Sequence, residues 1–341
     1  MISSSLVVGL FLAEAAARTW LAWQSDRLKN KLESSETSDV KQVDAGSNLM
    51  GLIRPSPIAG LYYQLKTHLN AVFAGVPVMT DEFGFRGSGT FPRKAERQRR
   101  IAGLGDSVMF GLGVSHEETF IKRVEYELNR RGSGYSYEAV NTGVPGYNTS
   151  QEVILFDSYR RILEPDLIVI AYTGNDMLPP QFRPDLNADG TFNEFNLALW
   201  VLLDRGVDNM LFSLRWNPES DDRLYGAIPM SLSPVEEALS SLAATAKSIG
   251  VPVVLVHGKY GFKKDFDRSE LWVSQREAIR KAAQDNGMVF VDQVEIYLHE
   301  MRVKGYETSE PFWVAPQDRH PNAAGHRLMA EGVLGKLPGD W

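Results

Sequence analysis

Residues 101–107 read Ile101-Ala102-Gly103-Leu104-Gly105-Asp106-Ser107, a short apolar run that ends abruptly in a Gly-Asp-Ser turn. Upstream, the chain is rich in proline and glycine and shows no sustained period. Downstream, it settles into repeated strand–helix units. A helix is expected from about Glu117 to Arg131, because Ser115 and Glu118 fit a capping box and Phe120, Val124 and Leu128 fall on one face. Tyr137 to Val140 reads as a second strand and Gln151 to Leu163 as a helix. Leu167 to Ala171 is apolar throughout, as in a strand covered on both faces. After an interruption the rhythm returns. A helix is expected from Val235 to Ile249, a strand from Val251 to His257 and a helix from Glu270 to Asn286. Met288 to Val291 is the last strand, and a terminal helix runs from about Ala323 to Gly335. Strands alternating with helices in this way predict an α/β domain with a mainly parallel sheet.

Open parallel sheets bind ligands beyond the carboxyl ends of their strands. Polar residues cluster at those places. Gly105-Asp106-Ser107 follows the first strand, with Gly111 beyond it. Asn141-Thr142-Gly143-Val144-Pro145-Gly146-Tyr147-Asn148 follows the second and Thr173-Gly174-Asn175-Asp176 the third. Near the C-terminus stand Asp318-Arg319-His320-Pro321-Asn322 and Gly325-His326. A serine at the first position could sit at the mouth of the sheet, with backbone N–H groups aimed at the same point. Each block alone is weak, because Gly-Asp-Ser is common by chance. Their order and their placement after strands make the joint signal.

Taken together, the blocks resemble those of the SGNH hydrolases, the GDSL esterases and lipases. The resemblance spans roughly residues 98–335. It implies a three-layer α/β/α sandwich with a mainly parallel five-stranded sheet in a flavodoxin-like arrangement. It makes Ser107 the nucleophile, His320 the base and Asp318 the acid. The backbone N–H groups of Ser107 and Gly146 and the side chain of Asn175 would form the oxyanion hole. No metal or organic cofactor is implied. One residue, Arg319, separates Asp318 from His320, where the commonest family pattern has two; the shorter spacing also occurs in the family. The function implied is a serine esterase acting through an acyl-serine, with deacetylation of a glycan as one form. O-acetyl transfer to a cell-surface polysaccharide uses the same residues. A non-catalytic carbohydrate-binding protein on this fold is the third reading.

Other polar residues carry plainer readings. His326 is expected to pack or hydrogen bond within the terminal helix. Asp176 is expected to bond neighbouring backbone. His257 follows a strand and is placed to line a pocket. His68, His116, His257 and His299 show no metal-ligand spacing with one another.

The rest of the chain bounds the answer. With no cysteine, disulfides, thiolate catalysis and iron–sulfur clusters are excluded. A net charge of -7 gives no electrostatic footprint for nucleic acid. No Gly-x-Gly-x-x-Gly or Walker lysine supports nucleotide binding. Met1 to Trp23 is an almost uncharged, apolar stretch interrupted by Glu14 and Arg18. Three readings fit it: an export signal or membrane anchor, an interfacial helix, or an ordinary core helix. The first makes the protein extracytoplasmic, periplasmic or secreted. Residues 24–47 read as a polar linker and 48–97 as an appendage packed on the main domain, with Leu61 to Phe73 as a short helix. The main domain is expected over 98–337, with an insertion at about 178–234 whose Trp200, Phe212, Trp216 and Tyr225 could line a groove. A small-molecule or glycan ester is the expected partner, with membrane association through the N-terminal segment.

Overall fold

The structure is a computed structural model that describes residues 43–46, 49–87, 91, 93–177, 232–258, 270–316, 318–337 and 341. Asp44–Gln181 and Ser231–Trp341 group into one compact unit. The expectations for residues 1–23, most of the linker at 24–47 and nearly all of the insertion at 178–234 lie outside the described residues.

Twelve strands and seven α-helices are described. The central sheet contains β6 (Gln98–Gly105), β7 (Ser136–Asn141), β8 (Leu167–Tyr172), β9 (Val253–His257) and β10 (Val289–Asp292). Their spatial order is β10-β9-β8-β6-β7, and every pairing is parallel. Gly103 of β6 is matched to Asn141 of β7 and to Val169 of β8. In order of appearance the strands therefore run 2-1-3-4-5, the flavodoxin-like arrangement, and the order of strand addition reverses between β6 and β8. Right-handed crossovers on either side of such a point put helices on both faces and leave a crevice between the two strand ends.

The helices follow from the apolar spacing. They are α1 (Ser107–Phe110), α2 (Phe120–Arg131), α3 (Thr149–Leu163), α4 (Ser233–Ile249), α5 (Glu270–Asp285), α6 (Gln293–Lys304) and α7 (Ala323–Leu334). Strand residues alternate between faces. On one face Ile101, Leu167, Val169, Val254, Val256 and Val291 pack with Phe120, Ile121, Val124 and Leu128 of α2 and with Met329, Ala330 and Val333 of α7. On the other, α3, α4 and α5 lie side by side, with α3 against β6 and α5 against β9. Every residue of β8 is buried, as its uninterrupted apolar run predicts. The three-layer α/β/α sandwich is thus the observed architecture. Helix boundaries fall within a few residues of expectation, except that α6 carries no mark the sequence reading picked out.

The appendage differs from expectation. Leu61 to Phe73 is not a helix. It contains β3 (Tyr63–Leu65), paired antiparallel with β2 (Ile53–Pro55), and β4 (Asn70–Phe73), paired with β5 (Val76–Met79). The short strand β1 (Val43–Gly46), within the stretch read as linker, lies on the other edge of β4. Tyr63, Val72 and Phe73 favour a pleated surface. His68 at φ 50° interrupts any helix, and Ala74-Gly75, both at positive φ, close a two-residue hairpin. Among the described residues no helix is long and apolar enough to cross a membrane.

Candidate active site

Asp106 begins the site. Its Oδ1 accepts from the backbone N–H of Val108 at 2.9 Å and so caps α1. The cap fixes Ser107 at the first turn of a four-residue helix, directly beyond the carboxyl end of β6. The Oδ2 of the same carboxylate accepts from Asn175 Nδ2 at 2.8 Å, and more distantly from Thr173 Oγ1 at 3.4 Å and Ser107 Oγ at 3.4 Å. Asp106 therefore ties the turn after β6 to the turn after β8, across the point where the strand order reverses. The sequence reading gave this residue no role. Its signal was its place between Gly105 and Ser107, a short acid where a helix N-cap is needed.

Asp318 and His320 arrive on a hairpin that the sequence reading did not anticipate. β11 (Trp313–Ala315) pairs antiparallel with β12 (Asp318–Pro321). Residues two apart on an extended strand point to the same side. The single intervening residue, Arg319, thus places the Asp318 and His320 side chains together. His320 Nδ1 lies 2.6 Å from Asp318 Oδ1, which also accepts from the His320 backbone N–H at 3.1 Å. His320 Nε2 lies 2.9 Å from Ser107 Oγ. Burial raises the Asp318 pKa, but the hydrogen bonds and charge of His320 more than offset it and hold the carboxyl below its ordinary value. Asn322 then caps α7 by accepting from Ala324 and Gly325, and its amide donates to the carbonyls of Pro311 and Trp313. The histidine strand is therefore pinned at its end.

The loop after β7 comes against the Ser107 turn from the other side. Asn141 Nδ2 donates to Met109 O at 2.6 Å, and its Oδ1 accepts from Gly143 N at 3.0 Å. A Cβ at Gly143 would stand 2.3 Å from Phe110 N, so only glycine allows this approach. Among the described residues no hydrogen bond engages the Gly146 N–H. Asn175 donates one N–H to Asp106 and its oxygen accepts from Thr173 Oγ1, which leaves its second N–H. All five sequence-predicted residues thus belong to the ends of β6, β7 and β8 and to β12, and Ser107, His320 and Asp318 form one hydrogen-bonded chain.

Behind Asn175 lie two more carboxyls. Asp176 Oδ2 accepts from Thr173 N at 2.5 Å, as the sequence reading expected for this residue. Glu152, from the first turn of α3, is 2% exposed and lies beside Asp176, and among the described residues neither of its oxygens meets a donor in hydrogen-bond geometry. Burial, and then the charges of Asp176 and Asp106, push the Glu152 carboxyl well above its ordinary range. Burial and Asp106 do the same to Asp176. The folded protein holds protons here that the unfolded chain releases once pH exceeds the ordinary Glu value. Stability from this pair is therefore present at low pH and is lost as pH rises toward the folded-state pKa. Glu152→Gln, neutral at any pH, is expected to melt later than the parent at pH 8 by about 2–4 °C or more. Melting curves from pH 5 to 8 should show the difference shrinking as pH falls.

The other histidines have structural settings. His326 is fully buried, stacks on Phe120, and accepts from the Phe120 backbone N–H through Nδ1 at 3.1 Å. Burial lowers its pKa to about 3, so it is a neutral packing residue, as expected. His257, at the end of β9, is buried and stacked on Tyr172. Burial lowers its pKa to about 4. Among the described residues no cluster of His, Asp or Glu has the arrangement of a metal site.

Comparison with known proteins bears on the same region. No curated protein matches the chain. Among solved structures, the acetyl xylan esterase AlAXEase is similar at 16% identity, covering 70% of this chain and 100% of its own, with a TM-score of 0.46. TesA gives 16% identity, 71% and 100% coverage, and a TM-score of 0.45. Axe2, an acetylxylan esterase from Geobacillus stearothermophilus, gives 15% identity, 70% and 93% coverage, and a TM-score of 0.44. A family model described as GDSL-like Lipase/Acylhydrolase matches residues 104–328, from the end of β6 through the histidine strand and into α7. Because that match takes in the larger part of the chain and every residue gathered around Ser107, the protein belongs to the GDSL-like lipase/acylhydrolase family, a family of ester hydrolases.

Proposed function

We propose that the protein is a serine esterase that cleaves a carboxylic ester through an acyl-serine intermediate. The observation that carries this reading is the unbroken chain Ser107 Oγ–His320–Asp318, at 2.9 and 2.6 Å. A neutral hydroxyl is a weak nucleophile and needs an adjacent base. His320 Nε2 takes the Ser107 proton as Oγ attacks the ester carbonyl. Asp318 holds the imidazole in the tautomer with its proton on Nδ1 and stabilises the imidazolium that forms. The oxyanion is met by the N–H groups of Ser107 and Gly146 and by the remaining N–H of Asn175. Loss of one such donor typically costs about 3 kcal/mol of transition-state stabilisation. His320 then protonates the departing alcohol. Water enters, gives its proton to His320, and releases the acid.

An O-acetylated glycan outside the cytoplasm is the substrate class in this proposal; the location rests on the apolar Met1–Trp23 stretch and the ester class on the family. Resolution of the acyl-serine by a sugar hydroxyl in place of water would make the protein a transferase, and product analysis separates the two. The direct test is labelling with a fluorophosphonate, read by intact-protein mass spectrometry. One adduct on the parent and none on Ser107→Ala is expected. A folded parent that takes no adduct would overturn the esterase reading in favour of a binding module.

A further inference from the structure

Arg86 is 2% exposed, yet among the described residues its guanidinium meets no carboxylate. An isolated buried charge is costly unless dipoles replace the lost water. Here they do. Nη1 donates to Phe110 O at 2.5 Å and to Gly111 O at 2.8 Å. Nη2 donates to Val114 O at 2.7 Å and, at 3.4 Å, to Pro77 O. The guanidinium also stands 4.6 Å from the centre of the Phe110 ring. Three of these four carbonyls belong to the end of α1 and the loop after it, where a helix leaves acceptors unpaired and its dipole favours a cation.

The strand-like backbone of Arg86 is fixed as well. Its N–H donates to Asn141 O at 3.0 Å, and it bridges Thr80 and Asn141. Gly111 sits at φ 81°, and a Cβ there would meet Thr119 Cγ2 at 2.4 Å and Arg86 Nη1 at 3.1 Å. Ser107 is thus gripped from two sides. Asp106 holds the start of its helix, and Arg86 holds the end. A second contact from the same β-rich segment reaches the loop that bears Gly146. Tyr63 Oη donates to Pro145 O at 2.8 Å, and Tyr147 Oη donates back to Tyr63 O.

We propose that the segment from Leu49 to Gly87 is a working part of the active centre, with Arg86 positioning the nucleophile turn and Tyr63 positioning the Gly146 loop. The proposal rests on the serine-esterase reading of that centre. Neither residue touches the reacting atoms; both act through backbone that does. Lysine cannot reproduce the role of Arg86, because a single ammonium cannot span three carbonyls in the plane of a guanidinium fork.

The test compares Arg86→Lys, Tyr63→Phe and a control, Arg100→Lys, in the full chain. Arg100 is equally buried and also donates to helix-end carbonyls, those of Ile162 and Leu163, but it pairs with Glu138 near the start of β6, away from the strand end that leads to Ser107. Each protein is assayed 15 °C below its own Tm, for fluorophosphonate acylation rate and for kcat and KM on an acetyl ester. Arg86→Lys is expected to lower the acylation rate and kcat about 10-fold or more with KM within 2-fold. Tyr63→Phe should lower them about 3-fold. Arg100→Lys should lose Tm but keep its rates within 2-fold. Parent-like acylation by folded Arg86→Lys would overturn the proposal. If that variant does not fold, parent-like rates in Tyr63→Phe overturn it instead. A parent that takes no fluorophosphonate removes the esterase reading and this proposal together, whereas a reactive parent with equally reactive variants removes this proposal alone.

Discussion

Ser107→Ala and His320→Ala are each expected to lower kcat/KM about 10⁴-fold or more, and the double variant is expected to lose little beyond either single one. The reason is the 2.9 Å link between Ser107 Oγ and His320 Nε2. Proton transfer and nucleophilic attack are one event, so removing either partner removes both. A residual rate is expected from the proposed oxyanion donors in the turns after β6, β7 and β8, which neither substitution removes. Because the loss concerns the transition state, kcat should fall while KM stays near the parent value. Ser107 is a small residue at a helix start capped by Asp106, so the Tm of Ser107→Ala should stay within a few degrees of the parent. Additive losses in the double variant would mean that the two residues do not act as a unit, and would count against the hydrogen-bonded chain as the reacting array.

Asp318→Asn is expected to lower kcat about 10³- to 10⁴-fold, with the fold intact. The substituted amide keeps the shape but loses the charge that stabilises the imidazolium, and it can hold the ring in the wrong tautomer. The same carboxylate has a pH signature. Its folded-state pKa is held below the ordinary Asp value. Its contribution to stability is therefore complete above the unfolded value and disappears as pH falls through the lowered one. The parent should accordingly show an acid-side loss of Tm that is weaker in Asp318→Asn. The effect is modest, because the Asp318 side chain is 33% exposed and solvent screens the pair. An Asp318→Asn variant with kcat within 10-fold of the parent would show that Asp318 does not orient the base.

The pH behaviour of the two acidic sites runs in opposite directions. Asp318 stabilises the folded state as pH rises from the acid side, and the Glu152–Asp176 pair loses its stabilising effect as pH rises further. The first is a partly exposed carboxyl hydrogen-bonded to an imidazole and a backbone N–H. The second is a buried pair that meets no cation among the described residues, behind the turn that carries Asn175.

What could be read in the sequence was whatever local pattern and burial decide together. The uninterrupted apolar run of β8, the amphipathic face of α2 and the alternation of strands with helices are properties of contiguous residues. They predict the layers before any coordinate is known. The blocks after β6, β7 and β8 were legible for the same reason, because a parallel sheet puts strand ends on one side. The appendage was not legible. Its strands are three or four residues long, too short for a period to declare itself, and pairing with partners elsewhere in the chain decides them. The helix expected over Leu61 to Phe73 failed on that ground.

By itself, then, the sequence determined the α/β class, the parallel core and the residue blocks that follow the strands, since strand and helix periodicity and residue chemistry are local facts. Only the tertiary structure decided that one intervening residue suffices between Asp318 and His320, because the hairpin of β11 and β12 makes that stretch extended and turns both side chains to one face. Only the tertiary structure brought Asp106 to Asn175 across the reversal of strand order and sent Arg86 beneath the Ser107 helix. Those contacts join residues 24 to 69 positions apart in the chain, and no local pattern encodes a meeting at that range.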